Sequence, residues 1–211
     1  MNRLLLACSL FCFGVLLFNS CLSSIPEKQD PTPQELEEKK EKEKKTMGID
    51  TLTSVIQWKA QLVGGETQQG ILRLSESVIV VQQGRIVHGR FTINMNSLQV
   101  TNKQFEPLNN SESKQILEFL AQEEYLDLEN HPTARFEVIK HFDYNLKGTL
   151  VINGRKNVEY IEDVRIKEVN GEMEIHGTMS VDRHRFGIGG KRPVRNKLLA
   201  DVIDLKIIIR D

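Results

Sequence analysis

From Ser54 to its last residue the chain repeatedly alternates apolar and polar side chains with a period of two, and few architectures accept such a pattern. Ile56, Trp58, Ala60 and Leu62 alternate with Gln57, Lys59 and Gln61, and Val87, Gly89, Phe91, Ile93 and Met95 alternate with His88, Arg90, Thr92 and Asn94. Phe136 and Val138 obey the same rule, as do Leu146, Gly148, Leu150 and Ile152, then Val158, Tyr160, Val164 and Ile166. Met173, Ile175, Gly177, Met179 and Val181 follow, and the chain ends on Ile203, Leu205, Ile207 and Ile209. Successive side chains of a strand point to opposite faces, so these runs read as strands with one buried and one wet face. Val63-Gly64-Gly65, Gln83-Gly84, Asn153-Gly154 and Asn170-Gly171 supply the turns between runs. Ser111 to Gln122 departs from the pattern: Ile116, Leu117, Phe119 and Leu120 have helical spacing, with Asn110 or Ser111 as N-cap and Glu112 in the first turn. The expected fold is all-β, with about eight antiparallel strands and one inserted helix, enough strands to close a barrel around a single ligand.

The start of the chain has a different character. A basic opening at Arg3, an apolar run from Leu4 to Phe18, and then Asn19 and Ser20 before Cys21 follow the order of a secretory signal over residues 1–20. Because about 17 apolar residues can just span a bilayer, a plain transmembrane anchor is the alternative. The cysteines favour a signal: Cys8 and Cys12 lie inside it, Cys21 follows it directly, and no cysteine comes later to form a disulfide. Leu17-Phe18-Asn19-Ser20-Cys21 resembles a lipobox, with Phe18 and Asn19 departing from the strictest form. Cys21 is therefore expected to be the acylated anchor to a membrane, each buried methylene adding roughly 0.8 kcal/mol. Residues 21–46 then combine the lipidated cysteine with Pro26, Pro31, Pro33 and a Glu/Lys run, a solvated linker that spans roughly 25–30 Å on average and can become transiently helical through pairs four residues apart. Residues 47–211 form the domain, long enough to bury roughly 70% of its unfolded surface. The expected location is the bacterial cell envelope, with the domain on the periplasmic side.

Several glycines fall on the inward parity of good strands: Gly70, Gly89, Gly148 and Gly177. A strand glycine costs stability, and two explanations stand. It can permit the bends that close a small barrel, or it can leave interior volume for a guest. A lumen lined by Ile56, Trp58, Gly70, Phe91, Ile93, Met95, Phe136, Val138, Leu150, Ile152, Met173, Ile175, Gly177, Met179 and Phe186 would be dry and would suit an alkyl or isoprenoid chain. The same residues would equally make an ordinary filled core. The stretch Asp182 to Lys197 carries Arg183, Arg185 and Arg192 among its basic residues. It reads either as a solvated loop or as a contact for an anionic headgroup or membrane surface.

Other function classes find little support. Lys plus Arg number 28 against 29 for Asp plus Glu, which offers no basic excess for nucleic acid. His88, His141 and His176 fall on the wet parity, His131 precedes Pro132, and His184 sits between arginines; no pair has zinc-site spacing, so no metal is expected. No nucleophile elbow, phosphate-cradling loop or Cys/His dyad is present, and pairs such as Glu123-Glu124 and Glu162-Asp163 read as surface charge. The chain is expected not to be an enzyme and to need no cofactor beyond a bound isoprenoid or acyl lipid.

Four ordered segments resemble the YceI-like family of bacterial lipid-binding proteins. They are Ser54-Val55-Ile56-Gln57-Trp58, Gly89 through Leu98, Tyr125-Leu126-Asp127 leading to His131-Pro132-Thr133-Ala134-Arg135-Phe136, and Asp182-Arg183 through Phe186-Gly187-Ile188. Gly148 through Gly154 matches the family's middle hairpin. The resemblance implies a lipocalin-like antiparallel barrel with a long apolar cavity that holds a prenyl tail. Asn94 where many members have aspartate, Leu98 in place of isoleucine, and Arg155-Lys156-Asn157 in place of a threonine-rich turn are departures that bear on cargo. The expected partners are a lipid ligand and a membrane, with pairing to a second copy left open. The rival reading is an envelope interaction or stress-related lipoprotein with a filled core and no lipid.

Overall fold

A computed structural model describes residues 32–42, 44–62, 66–189 and 199–211. The expected signal, Cys21, the Val63–Gly65 turn and Arg192 lie outside the described residues. The strands are β1 (Lys44–Met47), β2 (Val55–Leu62), β3 (Thr67–Leu74), β4 (Val78–Gln82), β5 (Arg85–Val100), β6 (Thr133–Phe142), β7 (Asn145–Ile152), β8 (Arg155–Val169), β9 (Glu172–Asp182) and β10 (Leu199–Arg210). Helix α1 covers Pro33–Lys42, α2 covers Ser111–Leu120, and a short 3-10 helix covers Arg183–Phe186.

Eight strands close a ring in the order β5, β3, β2, β10, β9, β8, β7, β6 and back to β5, every pairing antiparallel. β4 and β1 extend the sheet from β5 outside that ring. β1 was hidden in the charged linker, because only Met47 among its residues is apolar and buried. Met47, Ile79 and Ile86 have at most 1% exposure and join the core that fills the ring. Three of the predicted turns appear with both central residues at positive φ: Gln83-Gly84, Asn153-Gly154 and Asn170-Gly171. That backbone matches the right-handed twist of the hairpins they connect. Helix α2 starts where its cap predicts, the Asn110 side chain accepting from the Ser113 N–H at 2.8 Å.

Strict alternation fails where the register slips. β4 and β5 shift between Val80 and Val81, which turns Ile86 inward and leaves Val87 51% exposed instead of buried. On β8, Val158 and Tyr160 face solvent at 44% and 42% exposure, while Glu159 is buried. The hairpin explains this inversion, since it sets Asn157 opposite Leu150 and Glu159 opposite Gly148. Phase returns at the bulge between Glu162 and Arg165, where Asp163 takes positive φ and Ile161 and Val164 both point into the core.

Candidate functional site

Among the described residues the ring holds two part-open voids lined wholly by apolar residues, of about 100 Å³ and about 30 Å³. Ile56, Trp58, Ile93, Met95, Leu150 and Ile152 wall the larger, and Phe91, Phe136 and Met179 help wall the smaller. A dry engineered cavity of about 150 Å³ accepts benzene, so the larger void admits only a few carbons before side chains must move. Ala60, Leu72, Ile203 and Leu205 add to the wall from strands β2, β3 and β10, and further residues come from segments whose position depends on ring closure. Leu98 is contributed by the late part of β5, Leu120 by α2, Leu126 by the loop after it, Ala134 by β6, Val181 by β9, and Ile188 by the turn after the 3-10 helix. Met173 and Ile175 are buried in the same core but border neither void, and half-buried Val138 packs against it. Phe186 is 0% exposed and fills the ring beside Ile188.

The inward glycines create no space. The position a Cβ would take at Gly70 lies 2.6 Å from Trp58 Nε1, at Gly148 the Phe136 ring occupies it, and at Gly177 the Ile161 side chain does. Gly70 and Gly177 therefore do not line open volume; each is small because a cross-strand neighbour fills its place. Trp58 Nε1 is a buried donor without a hydrogen-bond partner, on a side chain that walls the larger void. Leaving such a group unpaired costs about 1–3 kcal/mol.

The basic stretch divides by role. Arg183 is buried, donating to the Ile188 carbonyl at 2.9 Å and pairing with Asp201 at 3.2 Å, and so shapes the turn. Arg185 is half-exposed and pairs with the buried Glu159 at 2.5 Å. His184 Nε2 lies 2.7 Å from Asp201, and this hydrogen bond, ahead of the arginine charge, holds the Asp201 carboxyl below the usual carboxylate range. His141, expected on the wet face, is half-buried, and its Nδ1 accepts from the Ile86 N–H at 2.9 Å. Burial first, then the Arg85 charge, push its pKa below the ordinary value. Among the described residues no group of three His, Cys, Asp or Glu is arranged to hold a metal ion.

The family model for the YceI-like domain matches residues 48–210. The fold is similar to BcnA from Burkholderia cenocepacia, with a TM-score of 0.60 and 14% identity over 77% of this chain and 99% of that one. It is also similar to a polyisoprenoid binding domain from Saccharophagus degradans implicated in plant cell wall breakdown, with a TM-score of 0.55 and 8% identity over 77% and 95% of the two chains. At these identities the likeness speaks for the fold. No curated protein matches the chain.

Proposed function

The chain belongs to the YceI-like family, and from that premise we propose that it binds a single apolar chain, a polyisoprenoid or a fatty-acid-like lipid, inside its ring. The observation that carries this reading is the all-apolar void inside the ring, a lining that suits alkyl groups. The Saccharophagus domain, described as polyisoprenoid binding, supports the same cargo class. A few carbons fit as the walls stand; Met95 and Met179, unbranched and soft, are the wall residues best suited to make room for more. The unpaired indole N–H of Trp58 offers one hydrogen bond to a hydroxyl or carbonyl on the chain. In this role the protein is a binder and not a catalyst. It is exported, held to a membrane of the cell envelope by acylated Cys21, and carries its domain on the periplasmic side.

One observation favours a second reading. The glycine positions are filled by neighbouring side chains and the larger void is small, which suits an envelope docking protein with a closed core. Trp58, the sole tryptophan, decides between them. Titration with geranylgeraniol should shift its emission and saturate near one equivalent, whereas an unchanged spectrum up to the solubility limit would favour docking.

A further inference from the structure

We infer that an apolar chain passes into the ring sideways, between β8 and β9, and that the 3-10 helix Arg183–Phe186 is the door over this port. The inference rests on the lipid-binding reading and adds the route and the residues that control it. The pairing of β8 with β9 stops at Glu162 and Thr178. Beyond that point Arg155–Ile161 pair only with β7, and Val181 and Asp182 only with β10. The wall of the ring is therefore split along this length, and side chains rather than a main-chain ladder close it.

The closing contacts come from the 3-10 segment and the turn after it, where Gly187 lies against the Arg155 guanidinium. Arg185 pairs with Glu159 at 2.5 Å and donates to the Val158 carbonyl at 3.3 Å, while Asn157 Nδ2 donates to the Arg185 carbonyl at 3.0 Å. Behind these polar contacts, Phe186 and Ile188 form the stopper, and Ile188 itself walls the larger void. Val181, on the unpaired part of β9, walls the same void. The segment is preformed as a unit: Asp182 caps it through the His184 N–H, Gly187 ends it at φ +72°, and Arg183 holds the turn that follows. Swinging it out breaks the β8 contacts and the Gly189 N–H bond to the Glu124 carbonyl at 2.8 Å, while the ring's ladders stay paired and Arg183 and His184 keep it tied to Asp201 of β10. The inversion of β8 places the carboxylate of Glu159 on the inner face, where an ordinary strand of this ring has an apolar residue. A latch requires that placement, and a plain wall does not.

The chain has no cysteine after Cys21, so an engineered pair reports cleanly. In the double variant Asn157→Cys/Arg185→Cys, a short bis-maleimide, each of whose double bonds adds one thiol, joins the door to β8, with closure verified by mass and the fold by circular dichroism. Stopped-flow Trp58 fluorescence then follows uptake of geranylgeraniol and its release to vesicles. The joined form should exchange at least tenfold more slowly than the unjoined form at the same equilibrium affinity, and Glu159→Gln should exchange faster than the unaltered protein. Equal rates for joined and unjoined protein would overturn the port while leaving lipid binding in place. If the unaltered protein does not take up the prenol at all, the lipid reading fails and the port with it. Hydrogen exchange on the unaltered protein supplies a second measurement. Amides of residues 183–189 should exchange well before those of β2 and β10, and equal protection would count against a door.

Discussion

Ala134 is 2% exposed and walls the larger void from β6, so Ala134→Leu directs new methyl groups into empty space. An unfilled void costs roughly 24 cal/mol per Å³, and about 100 Å³ therefore corresponds to about 2.4 kcal/mol. That figure is the upper bound on what filling can recover, because a leucine that meets Ile93, its cross-strand neighbour, gives part of it back as strain. For a domain of this length each kcal/mol moves Tm by roughly 2–4 °C, so the variant should melt up to about 10 °C higher and no lower than the unaltered protein. The space it fills is the proposed binding space. Geranylgeraniol followed by Trp58 emission should therefore bind at least tenfold more weakly. Thermal unfolding and the titration together make the test. A variant that is stabilised yet binds undiminished would show that the void is not where the chain sits. One that is destabilised by several kcal/mol would show that the void is smaller than the structure has it.

Other perturbations test other parts of the account. At Gly70 a new Cβ would fall on the Gln99 carbonyl as well as on the Trp58 indole, so Gly70→Val should cost roughly 3 kcal/mol; a denaturation midpoint near that of the unaltered protein would contradict it. His141 has its pKa pushed below 6.5 by burial, so the unfolded chain takes up the proton first as the pH falls. The stability that neutral His141 contributes is complete above about pH 6.5 and is lost towards the lower folded pKa. His141→Gln should flatten the fall in Tm as the pH drops below about 6.5, and an unaltered slope would show that other groups cause it. Asn110→Ala removes the cap of α2 and should cost about 1 kcal/mol in urea denaturation. Cys21→Ser should release the exported protein from the membrane fraction; retention there would refute the anchor.

Much of the ring was readable because its signals are local. Alternation is a property of each strand, and the Asn-Gly and Gln-Gly turns state their own backbone, so β2, β7, β9 and β10 and three hairpin turns followed directly. Asn110 and the spacing of Ile116, Leu117, Phe119 and Leu120 likewise located α2. The parity of β8 was not readable. Val158 and Tyr160 are good strand residues on either face, and Glu159 is tolerated inside only because Arg185, distant in sequence, pairs with it. The glycines left two explanations open for a similar reason: what occupies the place of a missing side chain depends on the residue across the ladder. Trp58 fills it at Gly70 and Ile161 at Gly177. Ile56, Trp58, Ile93, Met95, Leu150 and Ile152 border the larger void, as parity on strands with regular register places them. Ile188 and Leu126 were missed because loops bring them to the lumen.

The central claim is that this ring carries a lipid. Native mass spectrometry of the exported chain, purified from bacterial membranes in mild detergent, tests it most directly when paired with organic extraction of the same sample. A single added mass per chain that is recovered in the solvent as a prenyl or acyl lipid, and that is absent from Ala134→Leu, is the predicted result. A bare polypeptide mass that stays bare after incubation with geranylgeraniol and with palmitic acid would contradict the account.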